Sequence, residues 1–245
     1  VHPDTFERLR ALNHEFYQTF AKRFAEKRGR LQPGVMRAVQ LVPPEARLLD
    51  LGCGHGLLAE QLLASGHQGA YLGLDLSEAM VTLAGRAIQH PQVCFHQADL
   101  SLSNWKDVLL QANESFQPPY RCVFCFASLH HVPGRDRRRE LVGEVFDLME
   151  SGGYWTLSVW DFLQSERLRA RLLPWEKVGI PANQVEDSDY LIDWRHGGQG
   201  IRYVHHFTPE ALVELAARPG FDVVDSYRMD GENGRLGLYQ VWQKP

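Results

Sequence analysis

Leu48-Leu49-Asp50-Leu51-Gly52-Cys53-Gly54-His55-Gly56 decides how the remainder of this chain is read. An apolar run ends in a Gly-x-Gly-x-Gly turn, and Leu57 opens a helical apolar pattern. The stretch therefore predicts a strand, a tight turn and a helix start. Gly52, Gly54 and Gly56 let the backbone turn sharply and approach a ligand closely. The helix that follows offers unpaired N–H groups at its start. A dinucleotide site carries Gly-x-Gly-x-x-Gly to seat a pyrophosphate, but position 57 here is leucine. A phosphate loop ends in Gly-Lys-Ser/Thr, which is also absent. The carboxylate of Asp50 would repel a phosphate and attract an ammonium group. The turn points to a ligand without phosphates.

Outward from the turn, strands alternate with helices. Ala70 to Leu74, Val93 to His96, Cys122 to Ala127 and Tyr154 to Trp160 read as further strands. Leu57 to Ser65, Ser77 to Gln89, Trp105 to Asn113 and Asp136 to Met149 read as helices, the second capped by Ser77. This rhythm predicts an α/β fold, a parallel sheet wound on both faces by helices. Upstream, Phe6, Leu9, Leu12, Phe16, Phe20 and Phe24 draw one apolar stripe on a helix over 5–28. A short helix follows over Val35 to Leu41, so 1–44 forms a helical cap. The rhythm breaks at Phe162, where prolines and glycines leave no room for a strand–helix unit. Residues 162–207 read as a lid-like insertion. Thr208 then caps a helix to Ala217, and Phe221 to Tyr227 and Leu236 to Trp242 form a C-terminal hairpin.

The chain has 245 residues, 44% of them hydrophobic and 23% charged, and a formal net charge of -4. This size and balance suit one globular domain, 1–245, with no need of a disulfide or metal staple. The acidic balance disfavours a wholly electrostatic nucleic-acid binder. No run approaches a membrane span, and Val1 to Arg10 is too charged for a signal peptide. Cys53, Cys94, Cys122 and Cys125 make a poor disulfide framework, so a reduced, cytoplasmic protein is expected, monomer or homodimer. No Cys/His cluster has zinc-ligand spacing, so no metal is expected.

Asp75 ends the second strand, where an acid takes both ribose hydroxyls in this kind of sheet. Asp99 follows the third and would accept from an adenine amino group. Leu76, Met80 and Leu100 would wall the base. Three acids in one crevice at the ends of three strands suit an amine, a ribose and an adenine. S-adenosylmethionine (SAM) fits, with S-adenosylhomocysteine (SAH) as its product.

Asp50-Leu51-Gly52-Cys53-Gly54-x-Gly56 with Gly73-x-Asp75-x-Ser77 resembles the class I, seven-stranded SAM-dependent methyltransferases. The resemblance implies a mostly parallel sheet of order 3-2-1-4-5-7-6 with the last strand antiparallel. It covers about 45–161 and 208–244. A second set resembles the wobble-uridine tRNA methyltransferases, which methylate the carboxylate of carboxymethyluridine. Tyr17, Ala21, Phe24, Arg28 and Pro33 match, as do His130-His131, Val159-Trp160, Pro174-Trp175 and Arg202-Tyr203-Val204-His205-His206-Phe207. Gln32 stands where that family has Trp, and 183–193 is acidic where the family has a basic insertion. The resemblance implies that the first helix covers the methionine end of SAM, with Tyr17 and Arg28 near the cofactor and Ala127 in its wall.

On the acceptor side the expected residues are His131, with Asp161 to orient an imidazole, and Arg202 and His205 at the return from the insertion. A histidine serves as base for an amine or phenol. A carboxylate acceptor is already nucleophilic, and an arginine would hold it by two contacts. The plainer alternatives are structural histidines and a surface ion pair for Arg202. Arg135-Asp136-Arg137-Arg138-Arg139, with Arg167, Arg169 and Arg171, either touches a phosphate backbone or is a solvated helix face. Three functions are compatible: a tRNA methyltransferase, a small-molecule methyltransferase, and a non-catalytic SAM-fold interaction protein.

Overall fold

The computed structural model describes residues 1–27, 29–195, 198–231 and 233–245. In chain order the elements are α1 (Pro3–Lys27), α2 (Pro33–Val39), β1 (Leu48–Leu51), α3 (Leu57–Ala64), β2 (Tyr71–Asp75), α4 (Glu78–Ala87) and β3 (Val93–Gln97). Next come α5 (Asp107–Gln111), β4 (Tyr120–Phe126), α6 (Arg135–Leu148), β5 (Met149–Trp160) and α7 (Glu166–Arg169). The chain ends with β6 (Leu172–Leu173), β7 (Asp189–Trp194), β8 (Gly200–His205), α8 (Pro209–Ala217), β9 (Asp222–Met229) and β10 (Gly237–Gln243).

Seven strands form one sheet of order β3-β2-β1-β4-β5-β10-β9, and β10 runs antiparallel to both its neighbours. This is the predicted class I order, counted without the insertion. Period-two alternation divides the core. Leu49 and Leu51 face the layer that holds Trp105, Leu141, Val145 and Leu212. Leu48 and Tyr71 face the layer that holds Val35, Leu58 and Leu62. The expected caps form: Ser77 Oγ accepts from Met80 N at 3.3 Å, and Thr208 Oγ1 from Ala211 N at 3.2 Å.

Two elements differ from expectation. The insertion is not strandless: β6, β7 and β8 make a separate three-stranded antiparallel sheet. Leu191 and Tyr203 of this sheet pack on Leu9 of α1, so the small sheet and the first helix share a core. β5 begins at Met149 rather than Tyr154, running through Gly152 and Gly153, with a register shift opposite Tyr120 to Cys122. Gly152 sits at φ +76°, a conformation glycine adopts freely. A bulge thus lets the strand pass where the sequence reads as a break.

Candidate active site

A cavity opens at the C-terminal ends of β1, β2 and β4, under α1. The free space in the cavity and its mouth is about 810 Å³. Asp75 enters its wall from the end of β2, and two backbone donors hold its carboxylate: Gly54 N at 2.8 Å and Ser77 N at 2.9 Å. Burial pushes the Asp75 carboxyl up, and the two N–H groups oppose it. Asp99 accepts from Ser101 N at 2.9 Å and pairs with Arg10 of α1 at 3.1 Å. Leu76, Met80, Ala98 and Leu100 supply an apolar wall between the two acids.

The glycine turn lies beside them. A Cβ on Gly52 would stand 1.9 Å from Ser128 Oγ, so the turn and the segment after β4 touch. A Cβ on Gly54, at φ +57°, would meet nothing within 4 Å and would project into free space. Ala127 turns the chain at φ +52° and, with Ser128, closes the opposite wall. Gly56 lies outside the cavity; it precedes α3 and faces Ile88, Phe95 and Ala84.

Asp50 is not a wall of this cavity. Period two turns it toward α3, where it accepts from the Tyr71 hydroxyl at 2.5 Å and borders a smaller hollow with Cys53, Arg30 and Gln32. Burial pushes its carboxyl up to about 7, against the Tyr71 hydrogen bond, which lowers it. Burial also pushes the Cys53 thiol well up. The two hollows share Gly52, Gly54 and Phe126, so Asp50 lies across the turn from Asp75. Arg28 lies outside the described residues.

At the other end of the cavity, the turn after β4 presents His131. Its Nε2 is 2.6 Å from the Tyr17 hydroxyl, and its Nδ1 is 2.9 Å from the Tyr203 carbonyl. A carbonyl only accepts, so Nδ1 carries the hydrogen and Nε2 accepts from Tyr17. Tyr17 and His131 both line the cavity.

Arg202 of β8 lies behind Tyr17 and is not itself a wall of the cavity. Its guanidinium carbon is 4.6 Å from the Trp160 ring centroid, 4.8 Å from Phe16 and 5.2 Å from Trp194. The residue is 3% exposed, and its Nε and Nη1 have no hydrogen-bond partner among the described residues. Burial lowers its pKa; the neighbouring Tyr17 opposes this, and Arg171 adds to it.

The other two acceptor-side candidates are placed elsewhere. His205 donates from Nδ1 to Asp189 at 2.7 Å, and Nε2 faces Arg138 Nη2 at 3.3 Å. Arg138 also pairs with Glu186. Glu186, Asp189 and His205 form the one trio of metal-ligating type among the described residues, and Arg138 already engages two of its members. Asp161 does hold an imidazole, that of His206 at 3.1 Å, together with Arg228 at 2.9 Å, away from the cavity.

Two of the four arginines on α6, Arg137 and Arg138, are turned inward, and Arg135 is exposed. Arg137 pairs with Glu144 at 2.7 Å, Arg138 is buried on Glu186, and Arg139 pairs with Asp136 at 3.3 Å. Sequence reading missed Arg10 and Asn13, both cavity walls. Their signal was present: Arg10, Asn13 and Tyr17 recur at three and four, a polar stripe beside the apolar one.

A methyltransferase-domain family profile matches residues 20–226. Trans-aconitate 2-methyltransferase of Methylobacterium nodulans is 36% identical over 111 residues, 45% of this chain and 38% of that protein. The tRNA (carboxymethyluridine(34)-5-O)-methyltransferase of Arabidopsis thaliana is 26% identical over 152 residues, 60% of this chain and 32% of that protein. The matches thus span well under half the length of these relatives. A SAM-dependent methyltransferase structure from Methanosarcina mazei superposes with a TM-score of 0.64 at 22% identity, covering 88% of this chain and 98% of that one. Among the described residues no helix is long and apolar enough to cross a membrane.

Proposed function

The chain belongs to the methyltransferase-domain family with the class I fold, and from that premise we propose that it transfers a methyl group from SAM to a carboxylate on a small-molecule acceptor. The cavity supports the cofactor assignment by its two carboxylate acceptors and its apolar wall. Asp75 would take the ribose hydroxyls, Asp99 the adenine amino group, and Leu76, Met80 and Leu100 the faces of the base. The open space over Gly54 leaves room for a ligand against the backbone. Across the turn, Asp50 suits the ammonium of the amino-acid end.

When bound, SAM supplies an electrophilic methyl group on a sulfonium. The chain's own part is to orient and to exclude water. Tyr17 and His131 make a hydrogen-bonded wall at the acceptor end, and α1 covers it. A carboxylate acceptor needs no strong base, so this pair would fix its direction rather than deprotonate it.

The observation that carries the acceptor class is Arg202: a buried cation with two unpartnered nitrogens and no counter-ion among the described residues. Such a group is costly unless an anion joins it. The relative named for trans-aconitate acts on a small carboxylic acid, which favours the same class. The relative named for carboxymethyluridine also presents a carboxylate. The inward ion pairs of Arg137 and Arg138, however, take half of the arginines of α6 away from a tRNA backbone.

The test is a screen with methyl-labelled SAM against free di- and tricarboxylic acids, trans-aconitate among them, with bulk tRNA as a parallel arm. Base-labile label in a free acid is the expected result. Label in tRNA alone overturns the small-molecule assignment, and label only on neutral amines or phenols overturns the carboxylate.

A further inference from the structure

Asn13 is an amide sealed inside the protein, 2% exposed, on the face of α1 that looks into the cavity. Its side chain reaches two other elements. Oδ1 accepts from Tyr203 N at 2.9 Å, while Nδ2 donates to Tyr203 O at 3.1 Å and to His131 O at 3.2 Å. We infer that Asn13 is a positioning residue: through the Tyr203 carbonyl and the His131 backbone it fixes the ring of His131 in one tautomer and sets the register of α1 over the acceptor end. This rests on the reading above, in which Tyr17 and His131 form the acceptor wall.

The Tyr203 carbonyl is the junction. It accepts from Asn13 Nδ2 and from His131 Nδ1, so both its lone pairs are used. With Nδ1–H committed there, Nε2 is left to accept from Tyr17. Asn13 aims that carbonyl by holding both backbone polar groups of Tyr203, its N–H and its C=O, as a neighbouring strand would. Only a side chain with one acceptor and two donors can do this and also hold the His131 carbonyl. Aspartate keeps the acceptor and loses both donations; leucine keeps the volume and loses all three. Arg10 and Tyr17, three residues before and four after Asn13, share its face of the helix. One buried amide thereby couples the placement of three cavity walls. A residue that merely filled space would leave the tautomer of His131 untouched.

The test is ¹⁵N imidazole spectroscopy of the full chain with and without SAH, His131 being assigned by a His131→Gln variant. In the wild type, His131 is expected as the Nδ1–H form with an unprotonated Nε2. In Asn13→Leu and Asn13→Asp the Nε2–H form should rise about fivefold relative to the other, the scale of one lost net hydrogen bond. SAH binding is measured alongside, because Asn13 itself lines the cavity. An unchanged tautomer in a folded variant, or Nε2–H as the main form in the wild type, overturns the inference. Where both variants fail to fold, Nε2–H as the main wild-type form still overturns the inference. Failure to bind SAH with the tautomer fixed counts against the methyltransferase reading alone; SAH binding with a free ring counts against Asn13 alone.

Discussion

Arg202 and Asp50 are both buried charges, and they lead to opposite expectations. Arg202 sits among three aromatic faces, where lysine would keep the charge but lose the flat contact with the rings and the planar hold on a carboxylate. Arg202→Lys should leave SAH affinity within about twofold and lower turnover on the acceptor about ten- to a hundredfold. Loss of SAH binding in parallel would move Arg202 to the cofactor seat. Asp50 affects stability. Its carboxyl is held at about 7 in the fold, against 3.8 in a free chain. Between those values the folded form keeps a proton that the unfolded form has released, so Asp50 lowers stability as pH rises from about 4 to 7. Asp50→Asn retains an acceptor for Tyr71 and removes the titration. The melting temperature of the wild type relative to this variant should therefore fall across that window, and parallel curves would contradict the assignment.

At the scale of elements, the insertion is where sequence reading fell short. β7 and β8 are six residues each, and the acids, prolines and glycines around them read as an irregular lid. The two strands pair with each other and β7 with short β6, and they pack on α1 and on Phe162 and Leu168, contacts that no local pattern encodes. One of their ties to the main domain is the cluster in which Arg138 of α6 meets Glu186 and His205, and His205 meets Asp189. Removing the cation leaves buried acids uncompensated, so Arg138→Met should cost about 3–5 kcal/mol in chemical denaturation. A loss below about 1 kcal/mol would mean that water or rearrangement replaces the pair. The tie also explains why His205 does not face the cavity: Nδ1 is spent on Asp189, and Nε2 faces a guanidinium.

For the whole molecule, the parallel core was legible because strands and helices alternate at regular spacing, and the strand order came from the resemblance carried by the glycine turn and the acid after it. Asp75, Leu76, Asp99 and Leu100 were legible because they stand at or just after strand ends, and Met80 because it stands in the first turn of the helix that Ser77 caps. Asp50 was read one step short: the residue was recognised, but its side of the sheet follows from the alternation with Leu49 and Leu51. The backbone partners of Asn13 and the aromatic cage of Arg202 were not legible, because they come from α1, β5, β7, β8 and the turn after β4.

The central claim is that this crevice seats a phosphate-free adenosyl ligand, and calorimetric titration of SAH into the wild type and Asp75→Ala, with NAD as control, tests it most directly. Micromolar or tighter SAH binding is expected, weakened by about 1.5–3 kcal/mol in Asp75→Ala, the scale of hydrogen bonds to a charged group, with no heat from NAD. Tight NAD binding without SAH binding would contradict the account.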